Sequence, residues 1–325
     1  MKERVEFIDL AKGFGILFII AYHIRILPMY LSHLLGACVP LFFIISGLFF
    51  QAEEKFKPFV TKKINTILVP FIFFYSISYL IFYMVEILSP GLIKTQAKGI
   101  LDVFASDDYF NGPIWFLLSL FWDFIILWGI FKGVKSNVLR FIAVVTIALG
   151  GIVLSYYNVF LPMKLAPAFS CLPFLYIGNL VSKTGILNTE KKVFSISMAI
   201  VLLISAIVLT FLFEPIYMNL YNNTIIGNPF VNYLVVIFSS LGIILLCKIV
   251  NYIPFVNYFG KYSLIPLCLH HVIYRPILMM VSKLPPPHEQ SFNCYHTNYF
   301  GNLGTNTSVY EIYPNALWEK SDFYD

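Results

Sequence analysis

The stretch from Phe7 to His23 reads FIDLAKGFGILFIIAYH, and it determines what kind of protein this is. It is apolar over most of its length, yet Asp9, Lys12 and His23 interrupt it. At about 100° per residue, these three side chains fall within an arc of roughly 60° on a helix. Lys12 and His23 then lie about 16 Å apart along the axis, roughly half a bilayer core. Ionisable groups at that depth are costly, so we expect this face to point inward and to carry function.

The composition indicates an integral membrane protein. Of the 325 residues, 59% are hydrophobic and 12% are charged, whereas soluble domains carry about a quarter charged residues. The strand alternation of a β-barrel is missing, so the sequence predicts an all-α, polytopic transmembrane helical bundle. About nine segments are expected to span the membrane, at approximately 8–27, 34–52, 67–88, 113–131, 139–157, 165–182, 193–213, 230–250 and 258–281.

The composition changes near Ser282, which divides the chain into a membrane domain at 1–281 and a polar tail at 282–325. Three consecutive prolines, Pro285 to Pro287, open a stretch rich in Asn and Tyr that is too polar to span a bilayer. Termini of this kind are usually poorly ordered. A truncated or shifted reading frame after about Leu284 is an alternative explanation.

Basic residues concentrate on alternate loops, which predicts a cytoplasmic N-terminus and external loops at 89–112 and 214–229. His23 then lies toward the outer half of the first helix and Lys12 toward the inner half. Because the cations are scattered between hydrophobic segments, the formal charge of +5 reflects topology, and no nucleic-acid partner is expected. The five cysteines show no CxxC or paired spacing, so no metal site is expected either.

Motifs in a fixed order carry a family resemblance. Lys12 and His23 are separated by ten residues, and PLFFIISGLFF follows at 40–50. The later motifs are Lys62-Lys63 ahead of Leu68-Val69-Pro70, GPIWFL at 112–117, and FGKYSL at 259–264 with His270. In this order they resemble the membrane-bound acyltransferase family 3, and the wording around Ile8 to Lys12 is most similar to the fucose 4-O-acetylase-like branch.

The chain departs from the family pattern at several positions. That branch often reads FHMPLFF at the start of the second helix, whereas the matching stretch here begins with Ala37-Cys38-Val39-Pro40, so a second polar group is absent. Thr66 stands at the second basic position of the loop motif. Leu267 replaces a usual Tyr, and Pro266 interrupts the last helix. The family usually has ten or more helices, and here the tail takes the place of the last one.

The resemblance implies an O-acetyltransferase that moves an acetyl group from cytoplasmic acetyl-CoA to a sugar hydroxyl of an extracytoplasmic glycan. It implies an enzyme of the bacterial inner membrane that contacts membrane lipid, with acetyl-CoA as a substrate and no bound cofactor. His23 is the expected general base, since its ordinary pKa lies near working pH. An acetyl-His23 intermediate is the alternative. Asp9 and Lys12 would orient each other and the pantetheine arm, or would simply extend to the cytoplasmic interface at that end of the helix.

Further site residues follow from the same resemblance. Lys62 and Lys63 would hold the CoA phosphates as point charges, although such loop lysines also serve as topology signals. Ser46 beside Gly47 is a cofactor-side candidate, although a small pair more often permits close helix packing. Trp115 and Tyr109 could stack on a sugar or lie in an interfacial belt.

Other polar groups are open to more than one interpretation. Of the adjacent His270 and His271, only one should face the bundle interior, and the motif favours His270 as a substrate-binding or structural residue. His33 is expected at an outer helix end in contact with solvent. Asp123 lies deep in a segment and should pair with a basic group.

Two other functions compete with acyl transfer. A carrier for a polysaccharide or small solute would also use buried His and Lys, although the chain shows no internal repeat. An inactive, truncated acyltransferase would account for the polar tail.

Overall fold

The structure is a computed structural model that describes residues 5–24, 38–52, 55–88, 100–101, 111–189 and 191–282, without the side chains of 278–282. Over these residues the chain is mostly helical, with one short hairpin and short connecting loops, which confirms the all-α polytopic bundle. Residues 283–325 of the predicted tail lie outside the described residues, as do His33 and Tyr109.

The helices follow the hydrophobic segments in order. The first four are α1 (Glu6–His23), α2 (Cys38–Leu48), α3 (Phe56–Lys63) and α4 (Val69–Leu88). The next four are α5 (Trp115–Gly133), α6 (Asn137–Tyr156), α7 (Leu165–Thr184) and α8 (Lys192–Leu212). The last three are α9 (Pro229–Val250), α10 (Pro254–Lys261) and α11 (Leu264–Ser282). Short 3₁₀ turns at Gly112–Ile114, Pro162–Lys164 and Ile186–Asn188 complete the helical structure.

Local sequence sets several helix ends. The Ser136 side chain accepts from the Leu139 amide at the start of α6, and the Asn228 side chain accepts from the Phe230 amide at the start of α9. These side chains satisfy amides that have no partner within the helix. Gly185 ends α7 in the left-handed conformation that glycine adopts without strain.

Two predicted segments differ in extent from the helices. The third begins at Phe56 instead of residue 67, and it passes through a π-helical turn at Ile64–Leu68. The ninth divides at Tyr262 and Ser263 into the short α10 and the longer α11. A hydrophobic run shows that both pieces are apolar, but it does not show where the backbone turns.

Six helices, counted over the described residues, are long and apolar enough to cross a membrane. They are Phe56–Leu88, Gly112–Gly133, Asn137–Tyr156, Pro162–Thr184, Lys192–Leu212 and Pro229–Val250. The helix α2 is too short for this criterion, and α1 contains Glu6, Asp9 and Lys12 within its 18 residues. The number of spans therefore stays a prediction.

Burial separates the central helices from the peripheral ones. In Gly112–Gly133 and Pro162–Thr184, 61% of the apolar 18-residue stretch is buried within the protein, but only 17% of that stretch is buried in Asn137–Tyr156 and Lys192–Leu212. The exposed residues of the latter two helices are mostly large and apolar. We infer that α5 and α7 form the centre of the bundle and that α6 and α8 face lipid.

Glycines bring the central helices into close contact. A Cβ on Gly47 of α2 would meet the Leu175 carbonyl and come within 3.0 Å of the Gly178 Cα on α7. A Cβ on Gly13 of α1 would overlap the Val256 carbonyl of α10. Small residues allow backbones to approach in this way, and close packing stabilises helices that gain little from the hydrophobic effect in lipid.

The predicted 214–229 loop contains an antiparallel hairpin of β1 (Tyr217–Asn219) and β2 (Thr224–Ile226). Asn223 fastens its turn to the bundle: its Nδ2 donates to the Gly151 carbonyl at 2.9 Å, and the Ser170 hydroxyl donates to its Oδ1 at 2.7 Å. The Ile225 amide donates to the Ser155 hydroxyl, so the hairpin is held rigidly against α6 and α7.

Candidate functional site

His23 ends α1 and lies among aromatic rings contributed by α11. Its ring centroid is 5.2 Å from that of His270, 6.1 Å from that of His271 and 6.2 Å from that of Tyr274. Its neighbour Tyr22 lies edge-on to it at 5.5 Å. His23 and His270, which the sequence analysis selected separately, therefore lie side by side.

His270 is held in one orientation by the irregular start of α11. Its Nδ1 lies 2.8 Å from the carbonyl oxygen of Pro266. A carbonyl only accepts, so Nδ1 carries the hydrogen, and Nε2 of the neutral ring is an acceptor. That Nε2 is buried and has no hydrogen-bond partner among the described residues.

The expectation that only one of the two adjacent histidines faces the interior is wrong. His271 also lies against His23, and its Nδ1 is buried without a partner in the described part of the chain. Neighbouring residues on a helix point about 100° apart, and a ring placed between the two directions contacts both. The described residues nevertheless contain no group of three or more His, Cys, Asp or Glu arranged to hold a metal ion.

Trp115 lines the same small cavity as His23. The cavity has a volume of about 30 Å³, and its other lining residues are Ile19, Val39, Phe42, Pro113, Phe116 and Leu267. Trp115 is buried at the first turn of α5, which Gly112 and Pro113 introduce. The resemblance thus selected two residues, Trp115 and His23, that line one apolar-walled cavity.

Asp9 and Lys12 form the expected pair one turn apart on α1. The Lys12 ammonium lies 3.9 Å from an Asp9 carboxylate oxygen, with Asp9 buried and Lys12 partly exposed. Below them, Asn257 of α10 donates to the Glu6 carbonyl at 2.9 Å. The pair is several turns from His23 along the same helix, so it cannot contact the His23 ring directly.

Ser46 and its neighbour Gly47 lie near the end of α2, where that helix crosses α7. Gly47 makes the close contact with Gly178, and Ser46 is half-buried beside it. The helix-packing interpretation of this small pair agrees with the contact that Gly47 makes. Ser46 does not line the His23 cavity.

Lys62 and Lys63 face different surroundings although they are adjacent. Lys62 is exposed and lines an open groove of about 560 Å³ together with Lys57, Pro58, Thr61, Asn65 and Thr66. The Lys63 ammonium instead lies 3.2 Å from the centroid of the Phe124 ring. Only one of the two predicted phosphate-binding lysines therefore opens onto the groove.

Asp123 does not have the expected basic partner within the described residues. It is completely buried, and neither carboxylate oxygen has a hydrogen-bond partner there. Asp123 interacts electrostatically with the Cys171 thiol and the Tyr233 phenol, and neither group is basic. The structure therefore gives no ion pair that would explain this carboxyl group.

Several residues near the site were not selected from the sequence. Lys164 is completely buried, with its ammonium 3.9 Å from the centroid of the Tyr221 ring. Asn111 is buried before α5 and donates from Nδ2 to the Cys268 carbonyl and to the Ser78 hydroxyl. Only the position of Asn111 next to the GPIWFL motif could have drawn attention to it.

A comparison with known protein families agrees with the motifs found in the sequence. A family model described as an acyltransferase domain, that of acyltransferase family 3, matches residues 5–301. The chain belongs to acyltransferase family 3. This acyltransferase is an integral membrane protein, and its membership of the fucose 4-O-acetylase-like branch stays a prediction. No curated protein and no solved structure matched the chain.

Proposed function

We propose that this acyltransferase transfers an acetyl group from cytoplasmic acetyl-CoA to a sugar hydroxyl on the outer side of a bacterial cytoplasmic membrane, with His23 as the general base. The observation that carries the proposal is the cavity that His23 shares with Trp115. An imidazole at the end of a membrane helix, beside a space the size of a hydroxyl group, has the position that such a base requires.

The reaction needs one proton to move twice. His23 takes the proton from the acceptor hydroxyl as its oxygen attacks the thioester carbonyl. The tetrahedral intermediate then collapses, the carbon–sulfur bond breaks, and the His23 imidazolium returns the proton to the departing CoA thiolate. The products are an acetyl ester and free CoA thiol, so His23 ends in its starting form.

His270 is suited to orient the base. Its Nε2 is an acceptor, because Nδ1 is committed to the Pro266 carbonyl, and the His270 ring lies 5.2 Å from the His23 ring. A small turn of either ring would let His23 donate one N–H to this Nε2. The other His23 nitrogen would then carry a lone pair, which is the tautomer that removes a proton.

The groove on α3 and the π-helical turn supports a donor site at the other end of the bundle. Lys57, Lys62 and Thr61 lie on one surface, with Asn65 and Thr66 beside them. Ammonium, hydroxyl and amide donors suit the phosphates of CoA. The basic loop is predicted to face the cytoplasm, where the donor is available.

The test compares cells that carry the chain with cells that carry His23→Gln at equal membrane abundance. We expect glycan O-acetylation in the first and a loss of about 10²- to 10⁴-fold in the second, which is the usual contribution of a general base. Equal acetylation above an empty-vector control would contradict the role of His23. Solute uptake that His23→Gln abolishes, without CoA release, would favour the carrier.

A further inference from the structure

The cavity beside His23 is too small for a sugar ring. At about 30 Å³ it has room for one or two water molecules, or for a hydroxyl group. If the acceptor places one hydroxyl there, as the proposed function requires, its ring must remain outside the cavity. The residues that border the cavity toward the predicted outer side would then contact that ring.

The β1–β2 hairpin contacts the edge of this cavity through two tyrosines. The Tyr221 ring lies edge-on to Trp115 with their centroids 6.2 Å apart, and Trp115 lines the cavity. Tyr217 hydrogen-bonds through its side chain to Tyr22, the residue before His23. Both hairpin tyrosines are half-buried, so each retains exposed ring surface. The hairpin thus joins the aromatic wall of the cavity to the end of α1.

Lys164 holds Tyr221 in place. Its ammonium donates to the Tyr221 carbonyl at 3.0 Å and lies 3.9 Å from the centroid of the Tyr221 ring. The Lys164 backbone has φ +57°, a left-handed conformation uncommon for a side-chain-bearing residue, and its carbonyl accepts from the Ser119 hydroxyl at 3.1 Å. Burying a lysine completely costs free energy, and the contacts that Lys164 makes with Tyr221 offset part of that cost.

The exposed chemistry of the hairpin indicates the class of acceptor. Its sequence, YMNLYNNTII at 217–226, contains phenols and amides and no charged residue. Lys164, a cation beneath the hairpin in the described part of the chain, is completely buried. Aromatic faces pack against the apolar face of a sugar ring, and uncharged donors and acceptors suit its hydroxyls.

We propose that the Tyr217–Ile226 hairpin is the acceptor-selecting element of this acyltransferase, and that it selects an uncharged sugar ring packed on Tyr221 beside Trp115. This inference rests on the proposed function, because it concerns the acceptor of that reaction. Tyr221 acts as a binding residue, and Lys164 is a positioning residue that acts through Tyr221.

The first arm measures transfer by the full chain in lipid nanodiscs. Tyr221→Leu is expected to raise the acceptor KM about 3- to 10-fold and to leave acceptor-independent hydrolysis of acetyl-CoA unchanged. Tyr221→Phe keeps the ring and should retain most of the wild-type KM. Tyr157→Leu, the same substitution at an exposed tyrosine outside the hairpin, is the matched control and should match wild type. An equal loss of hydrolysis and transfer in Tyr221→Leu would overturn the proposal.

The second arm measures binding without turnover. In the His23→Gln background, methyl glycosides of a neutral hexose, a 6-deoxyhexose and a uronic acid are titrated while tryptophan fluorescence is recorded. Saturable binding of a neutral glycoside that Tyr221→Leu weakens would support the hairpin as the selecting element. Preference for the uronic acid, or binding unchanged by Tyr221→Leu, would overturn it. Absence of transfer by the wild-type chain in the first arm would count against the proposed function instead.

Discussion

Lys62 and Lys63 show how two identical neighbouring residues acquire different roles. Lys62 opens onto the polar groove, whereas the Lys63 ammonium lies over the Phe124 ring between α3 and α5. An ammonium on an aromatic face contributes about 0.5–2 kcal/mol, depending on how far it is desolvated. We therefore expect Lys62 to bind the phosphates of acetyl-CoA and Lys63 to stabilise the packing of α3 against α5.

This difference predicts opposite effects of the same substitution. Lys62→Gln should raise the KM for acetyl-CoA about 3- to 10-fold, because it removes one charge-assisted contact to phosphate. Lys63→Gln should change that KM little and lower the free energy of unfolding by about 1 kcal/mol. The measurements are donor titrations and thermal unfolding of both variants. A rise in KM confined to Lys63→Gln would contradict this assignment.

The residues of the candidate site could be predicted only in part. His23 was found because a lone imidazole in an apolar run is costly, and Trp115 and His270 followed from the motif order. Lys164 could not be found in this way, because its burial depends on a left-handed backbone at Met163 and Lys164. No glycine marks this left-handed conformation in the sequence. The sequence therefore does not distinguish a buried lysine at this position from an exposed loop lysine.

The close contact between α1 and α10 requires a residue without a side chain at Gly260. A Cβ on Gly260 would overlap the Asp9 carbonyl and lie 2.8 Å from the Gly13 amide nitrogen. Both of these are backbone atoms, so they cannot relieve the clash by a change of rotamer. Separating the helices would loosen the only element, α1, that carries Asp9, Lys12 and His23.

We therefore expect Gly260→Ala to destabilise the protein by about 3 kcal/mol or more and to reduce acyl transfer strongly, because overpacking at a backbone contact cannot relax. Gly150→Ala on α6 is the matched control, since a Cβ there meets nothing within 4 Å. It should be neutral or stabilise α6 by up to about 1 kcal/mol. Thermal unfolding in detergent compares the two, and equal stability would show that α1 and α10 are not packed this closely.

The elements themselves were predictable to different degrees. Each predicted segment contains a helix, because a long apolar run must satisfy its backbone groups internally. The hairpin at 217–226 was not predicted: it has only three paired residues in each strand, and its turn is fixed by side chains of α6 and α7. The break at Tyr262 was missed for a similar reason, since α10 is held by Asn257 reaching back to Glu6.

Sidedness is a property of the whole molecule, and the charge pattern predicts it. The hairpin and Lys191 should lie on opposite sides of the membrane, the former outside and the latter in the cytoplasm. Asn222 and Lys191 are both exposed, and the cysteines of the described residues are buried. With Cys294 replaced by serine, single-cysteine variants at these two positions therefore report on the two faces with little background.

An impermeant maleimide applied to intact cells should label Asn222→Cys and not Lys191→Cys. Permeabilised cells should show labelling of both. Labelling of Lys191→Cys alone in intact cells would reverse the predicted topology, and it would place the hairpin on the same side as cytoplasmic acetyl-CoA.

The hydrogen bond from Asn257 to the Glu6 carbonyl joins residues 251 positions apart. During translation, α1 emerges and enters the bilayer first, yet α10, the helix that packs against it most extensively, is made near the end. Contacts of such long range form late in folding. The nascent chain therefore holds His23 on a helix that lacks its main packing partner, and we expect the site to be complete only when synthesis has reached α10 and α11.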